Sequence, residues 1–598
     1  MKSVLLSRRD LDFLLYEWLR VDELTARPRF AEHSRETFDG VLDLSEQLAE
    51  RYFAPHNKTS DANEPTFDGR RVSVIPEVKA AWDAFVAADL IGVSMDASVG
   101  GAQLPAVVAQ AAFAWIAAAN TSSSGYLMLT IANANLLTAF GSPEQIATFV
   151  KPMLAGRFSG TMALSETQAG SSLADIATRA ELRPDGSYRL FGSKMWISGA
   201  EHELTDNIVN LVLAKIPGGP AGTKGISLFV VPKFLVNDDG SIGERNDVAI
   251  AGLNHKMGQR GITNTVLNFG EGQFTPGGEP GAVGYLVGEP HRGIVYMFQM
   301  MNEARLGVGL GAVALGYTGY LKSLQYARER PQGRPLAVKD PATPQVPIIE
   351  HADVKRMLLA QKAYVEGGLA LGLYCARLVD LQHSASSDTE ADRVGLLLDI
   401  LTPIAKSWPS QWCLEANSLA IQVHGGYGYT REYDVEQHYR DNRLNPIHEG
   451  TNGIQSLDLL GRKVTQRGGA SLAVLGGAIE STVDAAGALG GEAAELAAAL
   501  DASWQRLVAV TGAMFGSGDV AAVMANSHVY LEAFGHIVVA WLWLEQYIAG
   551  TGKTGDFYDG KRHAARYFFR FELPKTAPQL DLLESLDRTT LEMADGWF

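Results

Sequence analysis

Apolar positions recur with helical spacing in the N-terminal part of the chain. Leu11, Leu14 and Leu15 follow the i, i+3, i+4 spacing that places side chains on one face of a helix. A polar stretch over residues 55–68 interrupts this pattern, which resumes over residues 78–154. The N-terminal part of the chain is therefore predicted to be mostly α-helical.

The pattern changes near Gly160 to short apolar segments. They are bounded by Gly, Pro, Asn and Asp, which is typical of strands joined by turns. The segments predicted as strands are residues 188–191, 210–214, 227–231 and 264–269. A small β domain is expected in this part of the chain.

Helical patterns return after the predicted strands. They cover residues 296–385 and 393–423 with few helix breakers. After Arg462 the chain is rich in Ala and Gly and then in aromatic residues, which predicts a further helical domain. We thus predict a multidomain α+β protein with a helical N-terminal domain, a small β-barrel, a helical bundle and an extra helical domain, over residues 1–160, 161–290, 291–464 and 465–598.

Length and charge narrow the class of protein. The 598 residues exceed the roughly 250–300 residues that one hydrophobic core supports, so several domains are needed. The net charge of −16 argues against a general nucleic-acid binder, because neutralising phosphates requires a basic surface. A globular enzyme that acts on small molecules fits these properties.

Cysteine content and apolar runs suggest the compartment. The chain has two cysteines, too few for a disulfide framework or a cysteine-rich metal site. Ser7-Arg8-Arg9 resembles the start of an export signal, but charged residues interrupt the stretch that follows. Purely apolar runs such as Ile537–Leu544 are shorter than the roughly 20 residues needed to cross a bilayer. We expect a water-soluble, cytoplasmic protein without a bound metal.

Two segments of the predicted β domain carry candidate chemistry. Met162–Ser171 reads MALSETQAGS, and Lys194–Ser198 reads KMWIS. A tight Gly/Ser turn exposes backbone N–H groups to a polar ligand, and an aromatic side chain on a neighbouring strand can cover a planar ring. Taken one at a time, these residues would be an ordinary turn and a core aromatic.

Together the two segments resemble the flavin-binding β domain of acyl-CoA dehydrogenases. The family has Pro-Gly where this chain has Thr167-Gln168. The resemblance implies FAD as cofactor, with Ser171 also contacting CoA. The FAD contacts that it implies in this domain are Met162, Leu164, Ser165, Gly170, Ser171, Trp196, Ile197 and Ser198.

A second block, Ile447–Gln455, reads IHEGTNGIQ and resembles the C-terminal signature of the same family. In that signature the Glu of the Glu-Gly-Thr turn is the α-proton base, which implies Glu449 as the catalytic residue. Gly450 lets the backbone approach the substrate closely. Thr451 and Asn452, implied FAD contacts, are also candidate helix N-caps. The alternative for Glu449 is a carboxylate that only caps a turn.

The resemblance implies a specific reaction. Because the α C–H of a thioester is a weak acid, a positioned carboxylate must take its proton. The β-hydrogen leaves as hydride to the flavin, which gives a trans-2-enoyl-CoA. Burial beside an apolar acyl chain is expected to raise the pKa of this carboxyl group.

Residues 301–307 hold the rival base. Some relatives place the base on this earlier helix, where the equivalent position here is Ala304, and its neighbour Glu303 is the alternative. Asn302 and Arg305 are implied CoA contacts. Gly307-Val-Gly-Leu-Gly311 is not a dinucleotide-binding motif, because no strand precedes it. Close helix packing explains these glycines better.

A third segment, Arg328–Pro335, resembles the family's Arg-x-Gln-Phe-Gly signature without its Phe. In that signature one subunit reaches the FAD of the other, which implies a homodimer or a dimer of dimers. The residues of this chain that would complete the inter-subunit site are Arg330, Gln332, His351, Gln422, Gly425 and Gly426.

The resemblance covers roughly residues 80–464, and the ends of the chain resemble a large bacterial branch. This branch includes broad-range fatty acyl-CoA dehydrogenases and 3-methylthiopropionyl-CoA dehydrogenase. We expect a straight-chain, medium- to long-chain acyl-CoA of β-oxidation as substrate, with 3-methylthiopropionyl-CoA as the alternative. Electron-transferring flavoprotein is the implied electron acceptor.

Two other classes of protein fit this sequence less well. A DNA-binding flavoprotein of this fold would need a basic extension, but residues 465–598 hold more Asp and Glu than Lys and Arg. Their one basic stretch, around Lys561 and Arg566, is interpreted as a solvated helix face.

His438, His448 and Glu449 lack the spacing of a zinc-binding helix. His448 replaces a Tyr of many relatives, and its role stays open.

Overall fold

The computed structural model describes residues 3–338 and 340–598. Backbone packing divides the chain into two compact units. The helical unit consists of Met1–Arg35, Pro105–Ala114 and Arg305–Phe598. The mixed unit, which holds all the long strands, consists of Glu36–Leu104 and Trp115–Ala304. The predicted four-domain division stays a prediction.

The α-helices of the described residues are numbered in chain order. The first eight are α1 (Arg8–Asp12), α2 (Arg35–Leu48), α3 (Asn57–Ala62), α4 (Pro76–Ala87), α5 (Ala106–Ala119), α6 (Thr121–Phe140), α7 (Pro143–Gln145) and α8 (Lys151–Leu154). The next five are α9 (Gly293–Glu329), α10 (Ala352–His383), α11 (Asp388–His424), α12 (Val435–Asn442) and α13 (Asn452–Asp458). The last seven are α14 (Ala470–Leu489), α15 (Gly491–Gly516), α16 (Val520–Ala525), α17 (Ser527–Ala549), α18 (Asp556–Tyr567), α19 (Thr576–Glu584) and α20 (Thr589–Glu592).

The strands are numbered in the same way. They are β1 (Thr66–Phe67), β2 (Val72–Ser73), β3 (Phe158–Ala163), β4 (Arg179–Leu182), β5 (Tyr188–Ser198), β6 (Asn207–Lys215), β7 (Ile226–Pro232), β8 (Phe234–Val236), β9 (Ile242–Arg245), β10 (Val248–Leu253), β11 (Asn264–Phe269) and β12 (Ala282–Leu286).

The mixed unit is built around an eight-stranded sheet. Its strand order is β10-β11-β5-β12-β7-β6-β3, and β4 pairs with both β5 and β6. This double pairing closes β4, β5, β12, β7 and β6 into a ring, which confirms the predicted small β-barrel. Neighbouring strands are antiparallel except where β6 meets β3 and β4.

The predicted strands are present, and three of them are longer than their sequence patterns indicated, the first by the most. Residues 264–269 form β11 with the predicted bounds, whereas the segment at 188–191 continues to Ser198. The apolar pattern ends at Gly192 and Lys194, and yet the Lys194 side chain points inward and is fully buried. Because this charged residue is buried, the apolar pattern did not predict the second half of β5.

The helical pattern predicted over residues 296–385 corresponds to two helices. α9 ends at Glu329 and α10 begins at Ala352. Pro331 accounts for the end of α9, because a proline disfavours helical geometry in the residue that precedes it. The segment between the two helices contains Arg330 and Gln332, two of the candidate site residues.

The C-terminal extension, α14–α20, packs within the helical unit. Aromatic residues form part of its core, since Trp541 and Trp543 of α17 are buried. The indole N–H of Trp543 donates to the Ala363 carbonyl of α10 at 3.2 Å. The stretch Gln466–Leu489 is long and apolar enough to cross a membrane by length and composition alone. Leu475 and Ile479 of this stretch are nonetheless buried in the protein.

Candidate active site

Glu449 lies in a tight turn between α12 and α13. Its φ of 51° falls in the left-handed region, which is strained for a residue with a side chain, and Gly450 follows with a φ of 86°. The buried amide of Gln455 donates to the carbonyl oxygens of both residues at 3.3 and 3.4 Å. Because α13 supplies this amide, the helix holds the turn in its strained form.

The end of this turn matches the predicted helix cap. The Thr451 side chain accepts a hydrogen bond from the Ile454 N–H at 3.3 Å, and α13 begins at Asn452. The first turn of α13 is therefore capped by the residue that follows Gly450.

Burial and two cations set the protonation of Glu449. Desolvation raises the pKa of its carboxyl group, and the charges of Arg305 and Lys406 lower it. The residue as a whole is only half-buried, but its carboxyl group lies deep enough among protein atoms to be desolvated. Such a group can exchange a proton with a ligand while neighbouring charges keep its ionised form accessible.

Arg305 reaches this region from α9. Its guanidinium is buried and pairs with the Asp458 carboxylate at 3.1 Å, while its Nε has no hydrogen-bond partner among the described residues. Asp458 also pairs with the more exposed Arg462 at 2.6 Å. The predicted CoA contact of Arg305 is untested, and the structure ties this residue to α13 beside Glu449.

Lys406 of α11 is a site residue that the sequence reasoning missed. Its side chain is fully buried, and its Nζ has no hydrogen-bond partner among the described residues. Burial lowers the pKa of this amine to about 7, the Glu449 charge raises it and the Arg305 charge lowers it. A lone lysine in the apolar run around Ile404 and Trp408 was the signal that could have found it.

His448 is held by a chain of side-chain amides. Asn442 donates to Asn417 at 2.7 Å, and Asn445 donates to Asn442 at 2.8 Å. The oxygen of Asn445 therefore faces Nε2 of His448 at 3.0 Å, which assigns the proton to that nitrogen. Burial, together with the Lys406 charge, lowers the pKa of His448 to about 3. His448 is thus a neutral imidazole in a fixed tautomer.

The predicted flavin loop is anchored to β5 in the mixed unit. The buried Lys194 ammonium donates to the Leu164 carbonyl at 2.8 Å and to the Glu166 carboxylate at 3.0 Å. The Ser165 carbonyl accepts the Met195 N–H at 3.0 Å. The loop that follows β3 and the second half of β5 are therefore brought together, as the paired motifs implied.

The end of β5 presents an uncovered aromatic side chain. Trp196 has a φ of 66°, and 59% of its surface is exposed. Ile197 is buried, and the Ser198 hydroxyl accepts from the Asn264 amide at 3.0 Å. An exposed indole beside an ordered hydroxyl fits the face and edge of a planar ring such as a flavin. Gly170 and Ser171 are exposed, and Met162 is half-buried on β3.

Glu303, the rival base, lies in the mixed unit. Desolvation raises the pKa of its carboxyl group, which accepts a hydrogen bond from Asn135 at 3.2 Å. Among the described residues, burial and the Asn135 hydrogen bond are the causes of its pKa shift, whereas cations also act on Glu449. Asn302 beside it is half-buried.

The candidate inter-subunit residues are mostly exposed. The Arg330 guanidinium lies over the Tyr427 ring, 5.4 Å from its centre, and the His351 ring contacts the Gln332 carbonyl at 2.7 Å. Residues that complete this exposed set are Gln422, Gly425 and Gly426.

The basic stretch of the extension is only in part the solvated face that its sequence predicted, since Arg570 is exposed and Lys561 is not. Lys561 is buried and pairs with Asp10 and, at 2.9 Å, with Glu366. Arg566 pairs with Glu492. The charges of these two cations are therefore balanced by carboxylates within the protein. Within residues 3–338 and 340–598, no group of His, Cys, Asp or Glu side chains could hold a metal ion.

Four family descriptions match consecutive parts of the chain. They are Acyl-CoA dehydrogenase, N-terminal domain (residues 37–157), Acyl-CoA dehydrogenase, middle domain (residues 161–271), Acyl-CoA dehydrogenase, C-terminal domain (residues 291–464) and Acetyl-CoA dehydrogenase C-terminal like (residues 475–594).

Named relatives match over most of their length. The chain is 35% identical to 3-methylmercaptopropionyl-CoA dehydrogenase of Ruegeria pomeroyi, over 89% of each chain. It is also 35% identical to the broad-specificity linear acyl-CoA dehydrogenase FadE5 of Mycobacterium tuberculosis, over 99% of each.

Solved structures share the fold at lower identity. Caenorhabditis elegans ACDH-11, in complex with C11-CoA, gives a TM-score of 0.75 at 17% identity, over 94% of this chain and 90% of that one. A Bacillus anthracis acyl-CoA dehydrogenase complexed with FAD gives 0.73 at 19% identity, over 95% and 90%.

Proposed function

This chain belongs to the acyl-CoA dehydrogenases, FAD-dependent oxidoreductases of acyl-CoA CH–CH bonds, and we propose that Glu449 is its α-proton base. The proposed reaction converts a straight-chain, medium- to long-chain fatty acyl-CoA to the trans-2-enoyl-CoA in β-oxidation. The observation that carries the assignment is the Glu449 turn, in which a desolvated carboxylate lies under the influence of two buried cations.

Each part of this turn has a role in proton transfer. Burial raises the pKa of Glu449 towards the range in which a carboxylate accepts a proton from carbon more effectively. Arg305 and Lys406 oppose that rise and thereby favour the ionised form, which accepts the proton. The Gln455 amide fixes the strained backbone, which limits the positions that the carboxylate can take. A group held in this way needs little reorganisation when it takes the proton.

The residues present fit FAD. FAD, when bound, supplies the acceptor for the substrate's β-hydrogen. We propose that Trp196 covers the flavin ring, that Ser198 lies near its reactive edge, and that the loop at Leu164 and Ser165 lines it. The exposed backbone at Gly170 and Ser171 suits a polar ligand. The remaining proposed contacts are Met162, Ile197, Thr451 and Asn452.

The assembly, the electron acceptor and the compartment are part of the same proposal. Arg330 has the charge and geometry to bind a pyrophosphate, and it is proposed to reach the FAD of a second subunit with Gln332, His351, Gln422 and the two glycines that follow α11. The protein is proposed to be a cytoplasmic homodimer or dimer of dimers that passes its electrons to electron-transferring flavoprotein. Asn302, Arg305 and Gly450 are the proposed substrate contacts.

The proposed substrate is the one named for the relative that matches more of this chain. FadE5, whose printed name gives linear acyl-CoA, matches 99% of this chain, and the 3-methylmercaptopropionyl-CoA enzyme matches 89% at equal identity. A linear fatty acyl-CoA is therefore the first candidate, and 3-methylthiopropionyl-CoA is the second. Comparing kcat/KM over a chain-length series that includes the sulfur compound distinguishes them, and a maximum at the sulfur compound would reverse the order.

The reaction is tested by anaerobic bleaching of the flavin. Octanoyl-CoA is mixed with the wild type, with Glu449→Gln and with the control Glu303→Gln, and the visible spectrum is followed. The wild type and the Glu303 variant are expected to bleach, whereas Glu449→Gln keeps its oxidised spectrum. Bleaching of Glu449→Gln together with an inactive Glu303→Gln would assign the base to Glu303 instead.

A further inference from the structure

Buried lysines elsewhere in the protein have oxygen partners. Lys194 donates to the Glu166 carboxylate at 3.0 Å, Lys463 pairs with Asp399 at 2.7 Å, and Lys561 donates to the Gln546 side chain at 2.9 Å. Lys406 is equally buried, but among the described residues its Nζ has no such partner. A buried ammonium without a hydrogen bond is costly, so its position calls for a function beyond helix packing.

The place of Lys406 in the fold is fixed by a close helix contact. A Cβ atom at Gly309 of α9 would lie 1.9 Å from the Ala405 carbonyl oxygen of α11, so the two backbones touch at this point. Arg305 lies one helical turn before Gly309 and therefore on the same side of α9. This contact brings the Lys406 and Arg305 side chains to one region of the helical unit.

Lys406 differs in its role from the other charged and titratable groups around Glu449. Arg305 is engaged by Asp458, which also holds Arg462, and His448 of the same turn is neutral. Arg305 thus has an ion-pair partner of its own, and its charge lowers the pKa of Glu449 more than the Lys406 charge does. Lys406 acts electrostatically on Glu449 without a bonded counter-charge. The charge of the Lys406 ammonium therefore depends on the Glu449 carboxylate for its balance.

We propose that Lys406 is a positioning residue whose buried ammonium keeps Glu449 in the carboxylate form that removes the α-proton. The inference rests on the proposed role of Glu449. Below about pH 7, the pKa of Lys406, the amine carries its charge, and this charge opposes protonation of Glu449. Removing this charge leaves Arg305 as the remaining cation that opposes protonation of Glu449.

The first test is the pH profile of flavin bleaching in Lys406→Met. The acid limb of the rate is expected to move to higher pH by at least half a unit, which lowers the rate below that limb about threefold and spares the rate at high pH. Lys406→Arg keeps the charge and is expected to retain the wild-type limb. Lys463→Met, which also removes a buried lysine of the helical unit, is the matched control with an unchanged limb.

The second test does not depend on catalysis. Thermal midpoints are measured for the wild type, Lys406→Met, Glu449→Gln and the double variant. Without the Glu449 charge, the Lys406 ammonium has lost its balancing anion, so Lys406→Met is expected to raise the midpoint more in the Glu449→Gln background than in the wild type. Equal effects in the two backgrounds would overturn the inference.

The two proposals fail in different ways. If the wild type does not bleach with any acyl-CoA, or if Glu449→Gln still bleaches, the proposed function is wrong, and the thermal comparison still tests the electrostatic link. If Glu449→Gln is inactive and Lys406→Met lowers the rate equally at every pH, Lys406 is not a positioning residue. A changed flavin spectrum or FAD content with an unmoved limb would also refute the role.

Discussion

Replacing Lys194 by Met tests whether a buried ion pair holds the proposed flavin loop. The side chains of Lys194 and Glu166 are 0% and 4% exposed, and their charged atoms lie 3.0 Å apart. Glu166 also accepts hydrogen bonds from the Ala177 and Thr178 N–H groups at 2.7 and 3.0 Å. The pair therefore ties the segment after Leu164 to both β5 and the start of β4.

Two opposing effects determine the magnitude. The pKa of Glu166 is lowered to about 2 although burial alone would raise it, because Lys194 and four hydrogen bonds stabilise the carboxylate. The pKa of Lys194 is lowered to about 8, since burial costs its ammonium more than the pair returns. We expect the loss to dominate, because methionine leaves the buried Glu166 carboxylate without its counter-charge and the Leu164 carbonyl without the Lys194 donor. Breaking such a pair costs about 3 kcal/mol.

Amide hydrogen exchange measures this loss locally. A cost of about 3 kcal/mol corresponds to roughly hundredfold faster exchange in a peptide that covers residues 164–180. Lys215→Met is the control, because Lys215 donates to the Ala174 carbonyl of the same loop at 2.7 Å without pairing to a carboxylate. Its loss is expected to be about 1 kcal/mol. Equal exchange in the two variants would refute the assigned role of the ion pair.

The same variant has a pH signature. The folded-state pKa of Lys194 is about 8 against an ordinary value of 10.5, so the unfolded chain binds more protons between these pH values. Stability therefore rises with pH over this window, by up to about 3 kcal/mol, and falls as pH drops through 8. Lys194→Met lacks the titrating group, so the stability of the wild type relative to the variant should grow from pH 8 to 10.5 in urea unfolding. A constant difference would contradict the burial of a charged Lys194.

Two further changes test the packing of the helical unit. Lys561→Met leaves the buried Asp10 carboxylate without its ion-pair partner and leaves Glu366 with Lys362 alone, so it is expected to cost about 3 kcal/mol in urea unfolding. Lys553→Met, at a partly exposed ion pair, is expected to cost less than about 1 kcal/mol, and similar losses in the two variants would contradict the network. Gly309→Ala places its Cβ against the backbone of α11 and is expected to cost about 1–3 kcal/mol of stability. Gly311→Ala is the control. A Cβ at Gly311 meets nothing within 4 Å, so this variant should be neutral or stabilising. A tolerated Gly309→Ala would show that α9 and α11 can separate there.

The glycines of α9 show how far local pattern reasoning extends. The sequence context excluded a dinucleotide-binding loop, and the structure places these residues inside a 37-residue helix. Close helix packing, the interpretation given to the whole motif, holds for Gly309 and not for Gly311. Periodicity predicts that a helix forms, but it does not identify the side of the helix that touches a neighbour.

The sequence by itself determined the elements whose physics is local. The Glu-Gly-Thr turn, its Thr451 cap and the bounds of β11 follow from residues only a few positions apart, and the family resemblance follows from short motifs of the same kind. Backbone preferences and capping act over one or two turns, so a linear pattern is sufficient to predict them.

Only the tertiary structure decided the electrostatics of the candidate site. Arg305 and Asp458 are 153 positions apart, and Lys406 approaches them from a third helix. The tertiary structure also decided the position of Lys194. Its side chain points inward, so the apolar pattern did not predict the second half of β5. The energy of a buried charge depends on which partners the fold brings within a few ångströms, and residue spacing along the chain does not contain that information.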